Sequence, residues 1–319
     1  MIRFFLGNNV IALFLLPFII LSFFLLNIKF QYHEISGEIE YGFLNGLFVF
    51  PLLFSQILAS IIVLINAIYL NYLYNNYDFQ DRNTYIIGLI YVVLMSFYYS
   101  FYRLDGILIS HTFFILGLFQ YFKLKQNENG KEALFNGAFF IGIASSFHPP
   151  LIIFFPFYIF MYLVIRPFIL QELILYITGF ISPLLFGMTY LKWSGRTLST
   201  QLILAKESIQ IHKDFIVILI FILLLLILSA IGIRNRILKS SNKFKKQIQI
   251  LWLLIAMSIL MGSIDLFFYK QIERFSLLII PLAILLSYSF LNKRFGVLST
   301  VLFYLTIAYA VTKFFIYLK

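Results

Sequence analysis

Three carboxylates and an imidazole fall within eight residues in the stretch Lys29-Phe30-Gln31-Tyr32-His33-Glu34-Ile35-Ser36-Gly37-Glu38-Ile39-Glu40. A carboxylate beside a substrate hydroxyl can serve as general base. Carboxylates joined by an imidazole can hold a divalent cation of the Mg²⁺ or Mn²⁺ kind. Acidic residues also simply keep a short loop soluble, and both uses stay open for Glu34, Glu38 and Glu40. A second group is Tyr102-Arg103-Leu104-Asp105-Gly106. Arg103 can grip a phosphate with a forked pair of donors while Asp105 orients it or acts as base. The plain alternative is an ion pair closing a hairpin. Asp265, Lys270, Glu273 and Arg274 form a third mixed-charge group, suited to a pyrophosphate or to pairing with each other.

Two histidines sit in apolar surroundings. His111 lies in a hydrophobic stretch, where ionisable side chains face a bundle interior or water, and it is expected to make a helix-to-helix hydrogen bond more often than to catalyse. His148 belongs to Ser145-Ser146-Phe147-His148-Pro149-Pro150. A broken helix there frees backbone groups for a ligand, or the turn is purely structural. The segment from Lys192 to Asp214 carries Trp193, Arg196, Lys206, Glu207, His212 and Lys213. Residues 198–211 have apolar spacing like that of a helix lying on a membrane, which could gate a lipid substrate or merely pack. Glu172 reads as interfacial. With no cysteine in the chain, thiolate nucleophiles, thiolate metal sites and disulfides are excluded. No phosphate-binding glycine loop, zinc motif, nucleophile elbow or nucleotide fingerprint occurs, which argues against ATP-driven or nucleotide-sugar chemistry.

The elements that must position these groups are hydrophobic. Apolar residues make up 62% of the 319 residues, aromatic residues 20% and charged residues only 12%, whereas a soluble domain carries about 25% charge. Apolar runs predict spans near 9–28, 45–70, 85–102, 105–123, 134–148, 149–166, 167–190, 215–233, 248–264, 275–291 and 296–317. The expectation is an all-α, polytopic transmembrane helix bundle of about 11 spans, forming a single integral membrane domain over residues 1–319. The first run reads as a retained anchor rather than a cleaved signal peptide.

With the N-terminus inside, the larger share of the 24 Lys and Arg falls in cytoplasmic loops, including the cluster Arg234, Arg236, Lys239, Lys243, Lys245 and Lys246. This follows the positive-inside tendency. The net charge of +11 is scattered among loop ends, with no basic face to track phosphates, so no nucleic acid partner is expected. The cytoplasmic loops read as connectors. The composition is that of an AT-rich bacterial coding sequence, and a bacterial inner membrane is expected. At Pro149-Pro150 the chain must bend, as two short helices meeting outside or as one kinked helix. The second choice would move the basic 234–246 loop outside, against the positive-inside tendency.

Two segments carry a further pattern. The first runs from Glu132 through Gly137-Ala138-Phe139-Phe140-Ile141-Gly142-Ile143-Ala144-Ser145-Ser146-Phe147-His148-Pro149-Pro150 to Pro156, a glycine-dotted helix, a turn and a proline-containing apolar helix. The second is Glu273-Arg274-Phe275-Ser276-Leu277-Leu278-Ile279-Ile280-Pro281-Leu282, an Arg-aromatic pair followed by an aliphatic run to a proline, opening a late span. Both resemble the polytopic membrane glycosyltransferases that take sugars from polyprenyl-phosphate donors on the outer face, the GT-C type. The resemblance implies a GT-C-like bundle, an acid from the first external loop as base, and Arg274 at the lipid-linked phosphate. This chain departs from that family in its first loop, which spans only residues 29–44 and has no room for jaw helices, and it lacks the large soluble domain of some members.

The candidate catalytic residues are therefore Glu34, Glu38 and Asp105, and the candidate substrate-binding residues Arg103, His148, Arg196, Lys270 and Arg274. No metal-ligand set is assigned, and a divalent cation is the cofactor left open. The expected partners are membrane lipid, including polyprenyl phosphate, and envelope proteins. The rival expectation is a non-enzymatic subunit of an envelope or secretion assembly. A transporter comes third, because intramembrane polar residues are few, His111 and Lys313 being the clearest.

Overall fold

The computed structural model describes residues 2–29, 42–44, 50–77, 79–80, 82–98, 104–124, 130–195, 213–238, 240–268, 273–291 and 295–316. Among these residues all regular structure is helical. The elements are α1 (Ile2–Phe5), α2 (Leu16–Lys29), α3 (Leu52–Asn76), α4 (Ile86–Met95), α5 (Gly106–Lys123) and α6 (Lys131–Phe147). They continue with α7 (Phe155–Ile165), α8 (Leu170–Trp193), α9 (Lys213–Ile237), α10 (Asn242–Phe268), α11 (Ile279–Leu291) and α12 (Gly296–Ile316). Short 3₁₀ turns lead into α2, α7 and α11 at Val10–Leu15, Pro149–Phe154 and Glu273–Leu278, and Gly42–Leu44 forms another.

Local chemistry sets several boundaries. The Asp105 carboxylate accepts the Leu108 N–H at 2.8 Å and caps α5, satisfying one of the donors a helix start leaves open. The α6 helix stops at His148, because Pro149 and Pro150 have no N–H to continue the ladder. The α7 helix ends at Arg166, one residue before Pro167.

Five of the described helices are long and apolar enough to cross a membrane: Leu53–Asn76, Gly106–Lys123, Leu170–Trp193, Phe215–Ile237 and Asn242–Ile264. Most of the other predicted spans are shorter helices, while α12 runs for 21 residues. The largest departure is at 85–102, where the helix closes after ten residues at Met95, about 15 Å of rise against ~30 Å of hydrocarbon. Every residue of α4 is buried, and so is α11 from Ile279 to Phe290. Helices apolar all round belong inside a bundle, and α4 and α11 pack on each other at its centre. The α3 helix packs on α4, α9 covers α11, and α6 lies between α5 and α8.

Small residues set the α5–α6–α8 spacing. A Cβ on Gly142 would run into the Phe180 carbonyl and lie 3.1 Å from the Pro183 ring, and one on Gly179 would lie 2.6 Å from the Phe135 carbonyl. Close helix approach in membranes uses such residues. The Pro149-Pro150 bend is a reversal between two helices. Gly130, at the start of α6, packs against the Arg166 guanidinium at the end of α7, which one kinked helix could not bring together.

Candidate functional site

The predicted chemistry divides between described and undescribed residues. Glu34, Glu38, Glu40, Arg103, Arg196 and Lys270 lie outside the described residues, as do residues 198–211. Arg274 falls in the 3₁₀ turn Glu273–Leu278, with only its backbone described. Among the described residues no group of His, Asp and Glu is arranged to hold a metal ion, while the carboxylates considered for a cation lie outside those residues.

What the structure does bring together is the frame of that end of the bundle. His111 is buried, with Nδ1 3.0 Å from the Tyr91 hydroxyl on α4 and Nε2 3.1 Å from Ser276 Oγ. Both ring nitrogens are thus engaged between elements, which is the helix-to-helix role expected of it. Two residues along α5, Phe113 stacks on Phe147 with ring centroids 5.8 Å apart. The glycine-dotted segment ending at Pro149-Pro150 and the Glu273–Leu282 segment therefore seat on neighbouring positions of one helix. Gly42 completes the frame. Its φ of +57° is a left-handed conformation natural to glycine, and a Cβ would lie 2.5 Å from the Ser146 carbonyl and 2.6 Å from the Pro149 ring. Gly42 thus lies against the turn that holds buried His148.

The opposite end holds a site that the sequence reading treated as connectors. Arg166 and Glu172 are both buried and meet at 3.0 Å, so the Glu172 carboxylate is paired inside the bundle end rather than exposed to solvent. Tyr162 joins them, its hydroxyl donating to Glu172 Oε2 at 3.4 Å and accepting the Ile169 N–H at 3.2 Å. A signal was present, since opposite charges flank the Pro167 turn. Beside this pair the Tyr121 and Tyr176 hydroxyls hydrogen-bond between α5 and α8. A cavity of about 280 Å³ opens next to them, with Tyr121 and Leu124 from the α5 end, Ile165 from α7, and Lys243, Lys246 and Gln247 from α10. Lys246 Nζ donates to the Ile165 carbonyl at 2.7 Å, and Gln247 donates to the Tyr77 carbonyl at 3.2 Å. Lys243 lies 5.9 Å from the Tyr77 ring centroid.

This end gathers alternate helix termini. Tyr77 donates to the Phe119 carbonyl, Tyr288 to the Phe79 carbonyl, Arg236 to Gln80, and the Tyr85 N–H to Phe5, each at 2.8 Å. The ends of α1, α3, α5, α7, α9 and α11 thus share one face with the starts of α4, α6, α8 and α10. That face bears the basic cluster.

Among the described residues all regular structure is helical and five helices are long and apolar enough to cross a membrane, which defines the class, a helical membrane protein. Compared with family models, curated proteins and solved structures, the chain matches none.

Proposed function

We propose that this chain is a bacterial inner-membrane protein on a glycosyltransferase-like scaffold of about eleven spans, transferring a lipid-phosphate-linked sugar on the external face. The observation that carries this reading is the seating of both family-like segments on α5, through Ser276 on His111 and Phe147 on Phe113. In this reading the basic end faces the cytoplasm, and with it the N-terminus. A carboxylate from the first loop, Glu34 or Glu38, takes the proton of the acceptor hydroxyl. The acceptor oxygen bonds to the sugar carbon, and the bond from that carbon to the phosphate oxygen breaks. The lipid phosphate departs with the electron pair, held by Arg103 and Arg274 as forked donors. Asp105, which already caps α5, orients Arg103. His148, Arg196 and Lys270 contact the substrate. A lipid-carried donor needs no ATP, in keeping with the absence of nucleotide motifs.

The test is gentle detergent purification of the full chain, with mass spectrometry of bound lipids and co-purifying proteins. A polyprenyl-phosphate species retained by the native chain and lost from Arg274→Ala supports transfer. Stoichiometric protein partners without that lipid would make the chain a subunit of an envelope assembly instead.

A further inference from the structure

We infer that the cavity at the basic end binds an anionic membrane lipid through its phosphate, at a site separate from the proposed transfer chemistry. The cavity, about 280 Å³, suits a headgroup and not a whole lipid, whose chains would remain in the bilayer. Its walls divide by chemistry. Asn242, Lys243, Lys246 and Gln247, on the first turns of α10, supply ammonium and amide donors, while Phe122 and Ile250 belong to its apolar lining. Glu172, beside the cavity, is tied to Arg166. Lys246 spends one hydrogen bond on a neutral carbonyl, and an ammonium has three donors.

The position favours a lipid over a soluble phosphate. The cavity lies where the membrane-crossing helices α5 and α10 have a terminus, the depth of headgroups, and basic pockets between such helices on a cytoplasmic face select acidic lipids. The site is also preformed. Gln247 is fixed on Tyr77, Tyr121 is held by Tyr176, and Tyr77 is itself fixed on Phe119, so little ordering is required on binding.

The experiment titrates the detergent-solubilised full chain with dioctanoyl phosphatidylglycerol, dioctanoyl phosphatidylcholine and inorganic phosphate, read by native mass spectrometry. Phosphatidylglycerol is expected to saturate one site. Lys243→Gln/Lys246→Gln should weaken it roughly ten- to thirtyfold, as expected for two lysines near a headgroup. Lys245→Gln removes one charge at an exposed neighbour that does not line the cavity and should leave binding unchanged. Leu124→Trp, which fills the cavity without altering charge, should also abolish binding, so the idea does not hang on the double variant folding. Equal binding of phosphatidylcholine, equal loss in Lys245→Gln, or inorganic phosphate binding as tightly as the lipid would each overturn the assignment.

Discussion

The Arg166 guanidinium and the Glu172 carboxylate meet at 3.0 Å across the Pro167 turn, both buried. Removing one partner strands the other charge, so Arg166→Met and Glu172→Gln should each lower stability by about 3–5 kcal/mol. Joint replacement, Arg166→Met with Glu172→Leu, should recover most of that loss. Thermal unfolding in detergent measures all three. Single variants as stable as Lys245→Gln would show that water reaches the pair.

His111 ties α4 to the turn before α11 through both ring nitrogens. His111→Ala leaves the Tyr91 hydroxyl and Ser276 Oγ without the imidazole they share, a loss of about 1–3 kcal/mol for a buried donor or acceptor. The melting temperature should fall with any activity. Lost activity at an unchanged melting temperature would instead make His111 a reacting group.

Gly142 should resist the smallest substitution. Its added Cβ would meet the backbone of Phe180, which cannot rotate aside, whereas one at Gly7 would lie 3.5 Å from the Phe4 carbonyl, an ordinary contact. Gly142→Ala is expected to cost about 1–3 kcal/mol through forced separation of α6 and α8, with Gly7→Ala milder on the same unfolding assay.

Orientation can be read with thiols because the native chain has no cysteine. Trp193, 91% exposed at the end of α8, and Leu238, 77% exposed after α9, lie at opposite ends of the bundle. In intact cells a membrane-impermeant maleimide should label Trp193→Cys, and Leu238→Cys only after permeabilisation. The reverse pattern would invert the proposed topology and move the proposed transfer chemistry off the external face.

Apolar runs located the helices because burying a backbone in lipid forces it to satisfy itself, and only a helix does so within one segment. The breaks at Pro149-Pro150 and before Pro167 were legible for the same reason, since a missing N–H is a local property. Partnership across the fold was not legible. Nothing in the run Ile86–Met95 separates a central, fully covered helix from a lipid-facing span, because hydrocarbon and protein interior select the same side chains. Lys243 and Lys246 read correctly as part of a basic cluster, but that they line a cavity with Tyr121 and Ile165 depends on α5, α7 and α10 ending together. His111 lay between the two cases. Its depth fixed that it needed partners, and only the packing could name Tyr91 and Ser276.

The brevity and complete coverage of α4 bear on how the chain is built during synthesis. The ten-residue helix covers only about half of the hydrocarbon thickness, so its burial depends on the helices beside it. Its neighbour α11 is translated near the end of the chain. Until then α4 lacks that cover, and early truncations should be prone to degradation before α11 is made.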